Sequence, residues 1–310
     1  MNGRLWIRLY RQIRRICKRS LIKRHAGRPR IYDNHDVLSV WAFAALMDWP
    51  ISVTQKRIAH GPVGWWLERH WDWAAKLPSV PTLTRRIKTA DFRWLLRRIL
   101  QQLRRQLGFH PTAKVIMDAT LLNTGPYSGD PDSRWTCRCG KWFRGYALHT
   151  ICDENGLLWA WVVTGANVQE MKMARKLIYE MAAIDPNPVQ MVIADSGYDS
   201  EPLHQLIRKR LDAMLLAPLN LRGAKTDKWR DFQPGRDRAD KLLHEKRGRK
   251  MLEKRSLVER WYSLFKGRSH VSMLPYHVRR LHRVRNWIAL KLMIFYVHQY
   301  LSRKDLSAIA

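Results

Sequence analysis

Three carboxylates in this chain, Asp118, Asp195 and Glu259, stand where they could hold a hard metal cation. Asp118 sits in the middle of an apolar run, with Val115, Ile116 and Met117 before it and Ala119, Thr120, Leu121 and Leu122 after it. A run of this length bounded by Pro111 and Gly125 reads as a buried strand. A carboxylate inside such a strand is costly unless a salt bridge or a metal ion compensates it. Asp195 ends a second run of the same kind, Val189–Ala194. Glu259 lies in a basic helix from about Leu252 to Lys266, on a face that carries Arg255, Glu259, Tyr262 and Lys266 at spacings of four, three and four. Leu257, Trp261 and Leu264 lie on the opposite side and are expected to pack inward.

Three oxygen donors of this type suit Mg²⁺ or Mn²⁺. Two such ions about 4 Å apart can activate a water or a 3′-hydroxyl on one side of a phosphate and stabilise the leaving oxygen on the other. Arg255 and Lys266 on the same face can hold flanking phosphates. Each acid also has a plain structural role open to it. Asp118 could be a hydrogen-bonded strand residue, Asp195 could fix the turn at Gly197, and Glu259 could pair with Arg255. Asp153 and Asp199 are available to replace a member of the set. A second metal constellation, Cys137, Cys139, His149 and Cys152, has a C-x-C spacing tighter than a zinc knuckle uses. It leaves a zinc site and ordinary free thiols both open.

The elements that must position these residues follow from residue 111 onward. The first strand spans 114–122, and a polar loop from Thr124 to Lys141 follows it. Tyr146–Cys152 and Leu157–Thr164 form a hairpin about Asp153-Glu154-Asn155-Gly156, where Asn-Gly is a strong turn signal. A helix over Glu170–Ala183 leads to the Val189–Ala194 strand. Ser200 caps a helix to about Arg210, and Ala213–Ala217 is a fifth strand. A polar basic segment, 219–250, leads to the helix carrying Glu259. Three meander strands followed by two crossover strands give an RNase H-like α/β order, with a mixed five-stranded sheet and flanking helices. Asp118 and Asp195 then meet on neighbouring strands.

Residues 1–110 read as basic and helical. Residues 4–24 form one basic helix with Trp6, Leu9, Ile13, Ile16 and Ile22 as its apolar stripe. The extended Gly27-Arg28-Pro29-Arg30 could enter a minor groove through Arg28 and Arg30 or serve as a basic linker. Asp36–Met47 and Ser52–Ala59 are two short helices broken by Trp49-Pro50. Ser52 and Gln55 match a capping box, and Gln55, Lys56 and Arg57 face outward if the pair is a helix-turn-helix rather than a plain hairpin. Trp65, Trp66, Trp71 and Trp73 supply a small aromatic core, and short basic helices follow at 82–88 and 91–107. The expected divisions are 1–30, 31–110, 111–270 and a helical extension, 271–310.

The 310 residues carry 57 Lys and Arg against 26 Asp and Glu, a net charge of +31 that points to a polyanion, above all nucleic acid. An anionic membrane surface is disfavoured because the charge is spread along the chain. No signal peptide is evident, and Lys291 interrupts the most apolar late stretch, Trp287–Val297, which is too short to span a bilayer. A cytoplasmic, nucleoid-associated protein is expected.

VIMDATLLN at 115–123, VIADSGYDS at 192–200 and RSLVERWYSLFKG at 255–267 resemble the DDE transposase domain of bacterial insertion sequences, of the IS4/IS5-like group. Arg255, Glu259 and Lys266 match the last three members of that family's tyrosine-arginine-glutamate-lysine signature, and Leu252 departs from the tyrosine. GRPRIYDNHDVLSVWAFAALMDWPISVTQKRIA is similar to the family's N-terminal segment, and the short span before the last helix is like members without a large inserted β-domain. The resemblance implies Asp118, Asp195 and Glu259 as ligands of Mg²⁺ or Mn²⁺, two ions per site, with Arg255 and Lys266 on DNA. It implies binding of double-stranded terminal inverted repeats and target DNA by a homodimer, cleavage at the element ends, and direct transfer of the 3′-hydroxyls. A nuclease on the same fold and a DNA-binding protein without catalysis are the alternatives.

Overall fold

The computed structural model describes residues 7, 10–11, 13–15, 32–60, 77–106, 111–184, 187–220 and 233–307. The chain forms two compact units, one of residues 1–109 with 277–310 and one of residues 110–276.

The first unit is helical, with α1 (Asn34–Met47), α2 (Ile51–His60), α3 (Val80–Ile87), α4 (Ala90–Gln106) and a long last helix, α10 (Leu281–Ser307). Asp33 and Asp36 each accept the other's backbone N–H, at 2.9 and 3.1 Å, so the capping box stands at the start of α1. The box expected at Ser52 does not form. Pro50 provides the first carbonyl of α2, Thr54 bonds to it through both its N–H and its hydroxyl, and Ser52 lies inside the first turn. The chain leaves α1 through Asp48 in a left-handed conformation, φ 55°. The axes of α1 and α2 bend by 105°, within the range of a helix-turn-helix. Lys291, which breaks the apolar run of α10, is buried and pairs with Asp48 at 2.8 Å. Among the described residues no single helix is long and apolar enough to cross a membrane; the bent α1–α2 pair meets that test only by length and composition. The described residues near the N-terminus are helical, with Tyr10 and Ile13 buried. The rest of the 4–24 stretch, Arg28, Arg30 and the tryptophan cluster at 65–73 lie outside the described residues.

The second unit is built on a mixed, six-stranded sheet. Its strands are β1 (Lys114–Asn123), β2 (Arg134–Arg138), β3 (Lys141–Asp153), β4 (Leu158–Gly165), β5 (Met191–Ile193) and β6 (Met214–Leu216). β1 runs antiparallel to β3 and parallel to β5, and β6 extends the parallel part. A strand enclosed on both sides needs apolar residues on both faces, and Val115, Ile116, Met117 and Leu122 are fully buried. The helices are α5 (Glu170–Ala182), α6 (Glu201–Leu211), α7 (Pro234–His244), α8 (Lys246–Leu252) and α9 (Ser256–Ser269). This is the RNase H-like arrangement expected, with five differences.

A sixth strand, β2, occupies the span read as a polar loop, and β3 begins at Lys141 to pair with it. The connection is Cys139-Gly140, both at positive φ (48° and 72°), which is the backbone of a two-residue hairpin turn. The basic segment 219–250 contains α7 and α8. The last helix begins at Ser256 after a short 3-10 turn, Glu253–Arg255. On it the inward residues are Val258, Trp261, Tyr262 and Phe265, while Leu264 is 40% exposed. Ser200 precedes α6 without a capping bond from its side chain.

Candidate active site

Asp118 is delivered by register. Val115 and Ile116 of β1 lie beside Val192 and Ile193 of β5 in parallel. Asp118 and Asp195 each follow the last paired residue by two positions, so both emerge past the same end of the parallel pair, where open α/β sheets place their ligands. Asp195 also accepts the Gly197 N–H at 2.8 Å, which fixes the short helical turn Ser196–Tyr198. The third acid in this crevice is Glu170, the first residue of α5. Asp118, Asp195 and Glu170 each place a carboxylate oxygen within 4.8 Å of the others.

The cluster is held in an unfavourable ionic state. Burial first, then the Glu170 and Asp195 charges, push the Asp118 carboxyl up to about 6, against the Ala119 N–H and Arg255. Burial likewise raises Glu170, opposed by Arg138, whose guanidinium lies 2.5 Å from it. The Tyr198 hydroxyl, fully buried, lies within reach of the charges of Glu170, Asp118 and Asp195 and has no hydrogen-bond partner among the described residues. Three half-buried carboxylates, opposed by the charges of Arg138 and Arg255, form a donor set that fits a hard divalent ion.

α9 crosses this site. The Tyr262 hydroxyl meets the Thr150 hydroxyl at 2.7 Å, and Thr150 is the cross-strand partner of Asp118. Lys266 donates to Thr120, two residues beyond Asp118, at 2.7 Å, and burial lowers its pKa. Arg255 is close enough for its charge to act on Asp118. Glu259 lies on the same stripe between Arg255 and Tyr262. Its side chain is 66% exposed and stands 3.9 Å from Arg255, outside the 4.8 Å cluster. Glu170 is the residue missed by the sequence reading. Its only signal there was an acid at the head of the helix that follows the meander.

The remaining acids are committed elsewhere. Asp153 accepts the N–H groups of Asn155 and Leu157 and the indole of Trp159, which holds the Asn-Gly turn. Asp199 receives a forked pair from Arg236, 2.7 Å at its closest, with His204 and the Asn220 N–H beside it. Burial raises the Asp199 carboxyl, but these partners outweigh it and leave the pKa lowered. Glu201 accepts the Gly235 and Arg236 N–H groups at the head of α7. Of the cysteine set, Cys137 and Cys139 are exposed free thiols, while Cys152 and His149 are buried. His149 bonds Thr164 instead. The four do not group as metal ligands. In the helical unit Gln55 is half-buried, Lys56 is exposed, and Arg57 is exposed with its guanidinium 4.1 Å over the Trp49 ring.

Residues 110–296 match the family model described as "Transposase DDE domain", which spans more than half of the chain. The chain belongs to this family. No curated protein matches it. Transposases of this kind act on DNA and use divalent metal, and an acidic cluster, Asp118, Glu170 and Asp195, is present in this domain.

Proposed function

We propose that this transposase cuts DNA at the ends of its own element, at the terminal inverted repeats, and joins the released 3′-hydroxyls to target DNA. The observation that carries the reading is the convergence of Asp118 and Asp195 from two parallel strands under a helix that brings Arg255 and Lys266 to the same crevice. Mg²⁺ or Mn²⁺, two ions per site, would be held by Asp118, Asp195 and an acid from α5 or α9. When bound, the ions supply Lewis-acid polarisation of the phosphate. Arg255 and Lys266 grip the phosphates on either side of the scissile bond. Tyr262, through Thr150, fixes the strand that carries Asp118.

Glu259 is the family-matched third acid. Its neighbours on the stripe lie one turn to either side: Arg255, whose charge acts on Asp118, and Tyr262, which bonds the cross-strand partner of Asp118, so Glu259 would join the site from this stripe. Glu170 is already in the crevice and is restrained by Arg138. Gln55, Lys56 and Arg57 of α2, with Arg28 and Arg30 before it, would bind the repeat, and pairing two ends calls for a homodimer on DNA.

The test is a strand-transfer assay with labelled repeat DNA, a target plasmid and Mg²⁺ or Mn²⁺. Wild type should give joined product and Asp118→Asn none, with DNA binding retained. Glu259→Gln should remove activity as fully as Asp118→Asn, and Glu170→Gln should leave part of it. Cleavage without joining would assign a nuclease, and binding with neither activity a DNA-binding protein without catalysis.

A further inference from the structure

The β2–β3 hairpin stands beside the carboxylate cluster and has a face on which two tryptophans are exposed. Residues 134–145 hold four basic side chains, Arg134, Arg138, Lys141 and Arg144, and no acidic one. Cross-strand register sorts them. Trp135 pairs with Arg144 and Cys137 with Trp142, and directly opposed residues share a face of the sheet. The other face carries Arg138, which is tied to Glu170 of the cluster. The hairpin is therefore anchored at the active site through one face and presents two tryptophans on the other. Trp142 is 69% exposed and Trp135 45% exposed. The Arg144 guanidinium lies 5.9 Å over the Trp135 ring and is braced by the Ser133 hydroxyl and the Pro126 carbonyl.

Exposed indoles among cations suit a polyanion that also offers flat apolar rings, which is nucleic acid. A second copy of a chain of net charge +31 would bring like charge to this face. Bases stacked inside a duplex have no ring face to give, whereas an unpaired base at an opened strand end offers both of its faces.

We propose that Trp135, Trp142 and Arg144 hold an unpaired nucleobase of the DNA strand whose phosphate lies at the neighbouring carboxylates. This rests on the transposase reading and adds to it a device for recognising an opened strand end.

The test uses full-length protein in metal-free buffer, so that it requires no catalysis. Binding is compared by fluorescence anisotropy for a blunt duplex and for the same duplex with three unpaired nucleotides at one end. A second readout is 2-aminopurine at an unpaired position, which stacking on an indole quenches. Trp142→Ala and Trp135→Ala should each weaken the open-ended duplex about tenfold relative to the blunt one and abolish quenching. Trp142→Phe should keep most of both. Thermal denaturation should be unchanged, because both indoles are exposed. Equal loss on both duplexes, or no loss, overturns the proposal. Unchanged DNA binding together with a lost dimer in sedimentation would assign the face to a second copy instead. Wild type that binds both duplexes with no dependence on these tryptophans sinks the hairpin assignment alone. Wild type that binds neither duplex sinks the transposase reading with it.

Discussion

The second unit contains two clusters of buried or half-buried acids, and they are solved in opposite ways. Around Asp199 the charge is closed: Arg236 forks onto it, His204 and the Asn220 N–H fill the remaining positions, and Glu201 takes the backbone of the next helix. Around Asp118 it is open: two more carboxylates face it, and the Tyr198 hydroxyl, with no partner among the described residues, lies within reach of the group. Only three residues separate Asp195 from Asp199. Burial is common to the two clusters and counter-charge is not: Asp199 holds a fitted guanidinium, whereas in the other cluster Arg138 pairs with Glu170 and Asp118 is left facing carboxylates.

The sharpest way to break this contrast is to remove one charge from each cluster. Asp118→Asn should reduce cleavage at least 10³-fold, about 4 kcal/mol of transition-state stabilisation. Its melting temperature should hold or rise without metal, because a repelled, half-buried charge is gone. Mg²⁺ should raise the melting temperature of wild type and leave this variant unmoved. Asp199→Asn should do the reverse to stability, costing about 3–5 kcal/mol by leaving Arg236 buried without its partner. A gain in stability from the Asp199 change, or a loss from the Asp118 change, would refute the distinction.

A buried base extends the comparison. Burial first, with Arg138 nearby, holds the His149 pKa down at about 4, and among the described residues its side chain bonds Thr164 alone. A base whose folded pKa lies below its unfolded value of about 6.5 destabilises the fold as it protonates. Its contribution is intact above pH 6.5 and is lost as pH falls toward 4, by up to about 3 kcal/mol. Urea titrations between those values should show the slope in wild type and a shallower one in His149→Gln.

Much of the scaffold was legible because it rests on local chemistry. The β1 and β5 runs, the Asn-Gly turn and the helix over 170–182 could be read from apolar pattern and turn residues, and the pairing of Asp118 with Asp195 followed from topology. What escaped depends on contacts between distant segments. Glu170 looks like any acid at a helix start until α5 docks in the crevice. The β2 strand has five residues, most of them exposed, and its Cys139-Gly140 turn was overshadowed by the two cysteines as candidate ligands. The inward face of α9 was misassigned because Leu264 is apolar yet exposed, while Tyr262 serves both the core and the site.

The closed cluster has one more effect, on chain length. Asn220 is tied to Asp199 on one side of residues 221–232, and Gly235 and Arg236 are tied to Glu201 and Asp199 on the other. The two flanks of that stretch are thus pinned at one point of the unit. Lengthening a loop with anchored ends costs only about 0.6 kcal/mol per doubling. A flexible Gly/Ser insert placed there should shift the melting temperature by no more than a few degrees and leave DNA cleavage intact, provided Arg236 is kept. The Asp199–Arg236 pair would then act as a socket into which a lineage can fit sequence of almost any size without re-engineering the catalytic body.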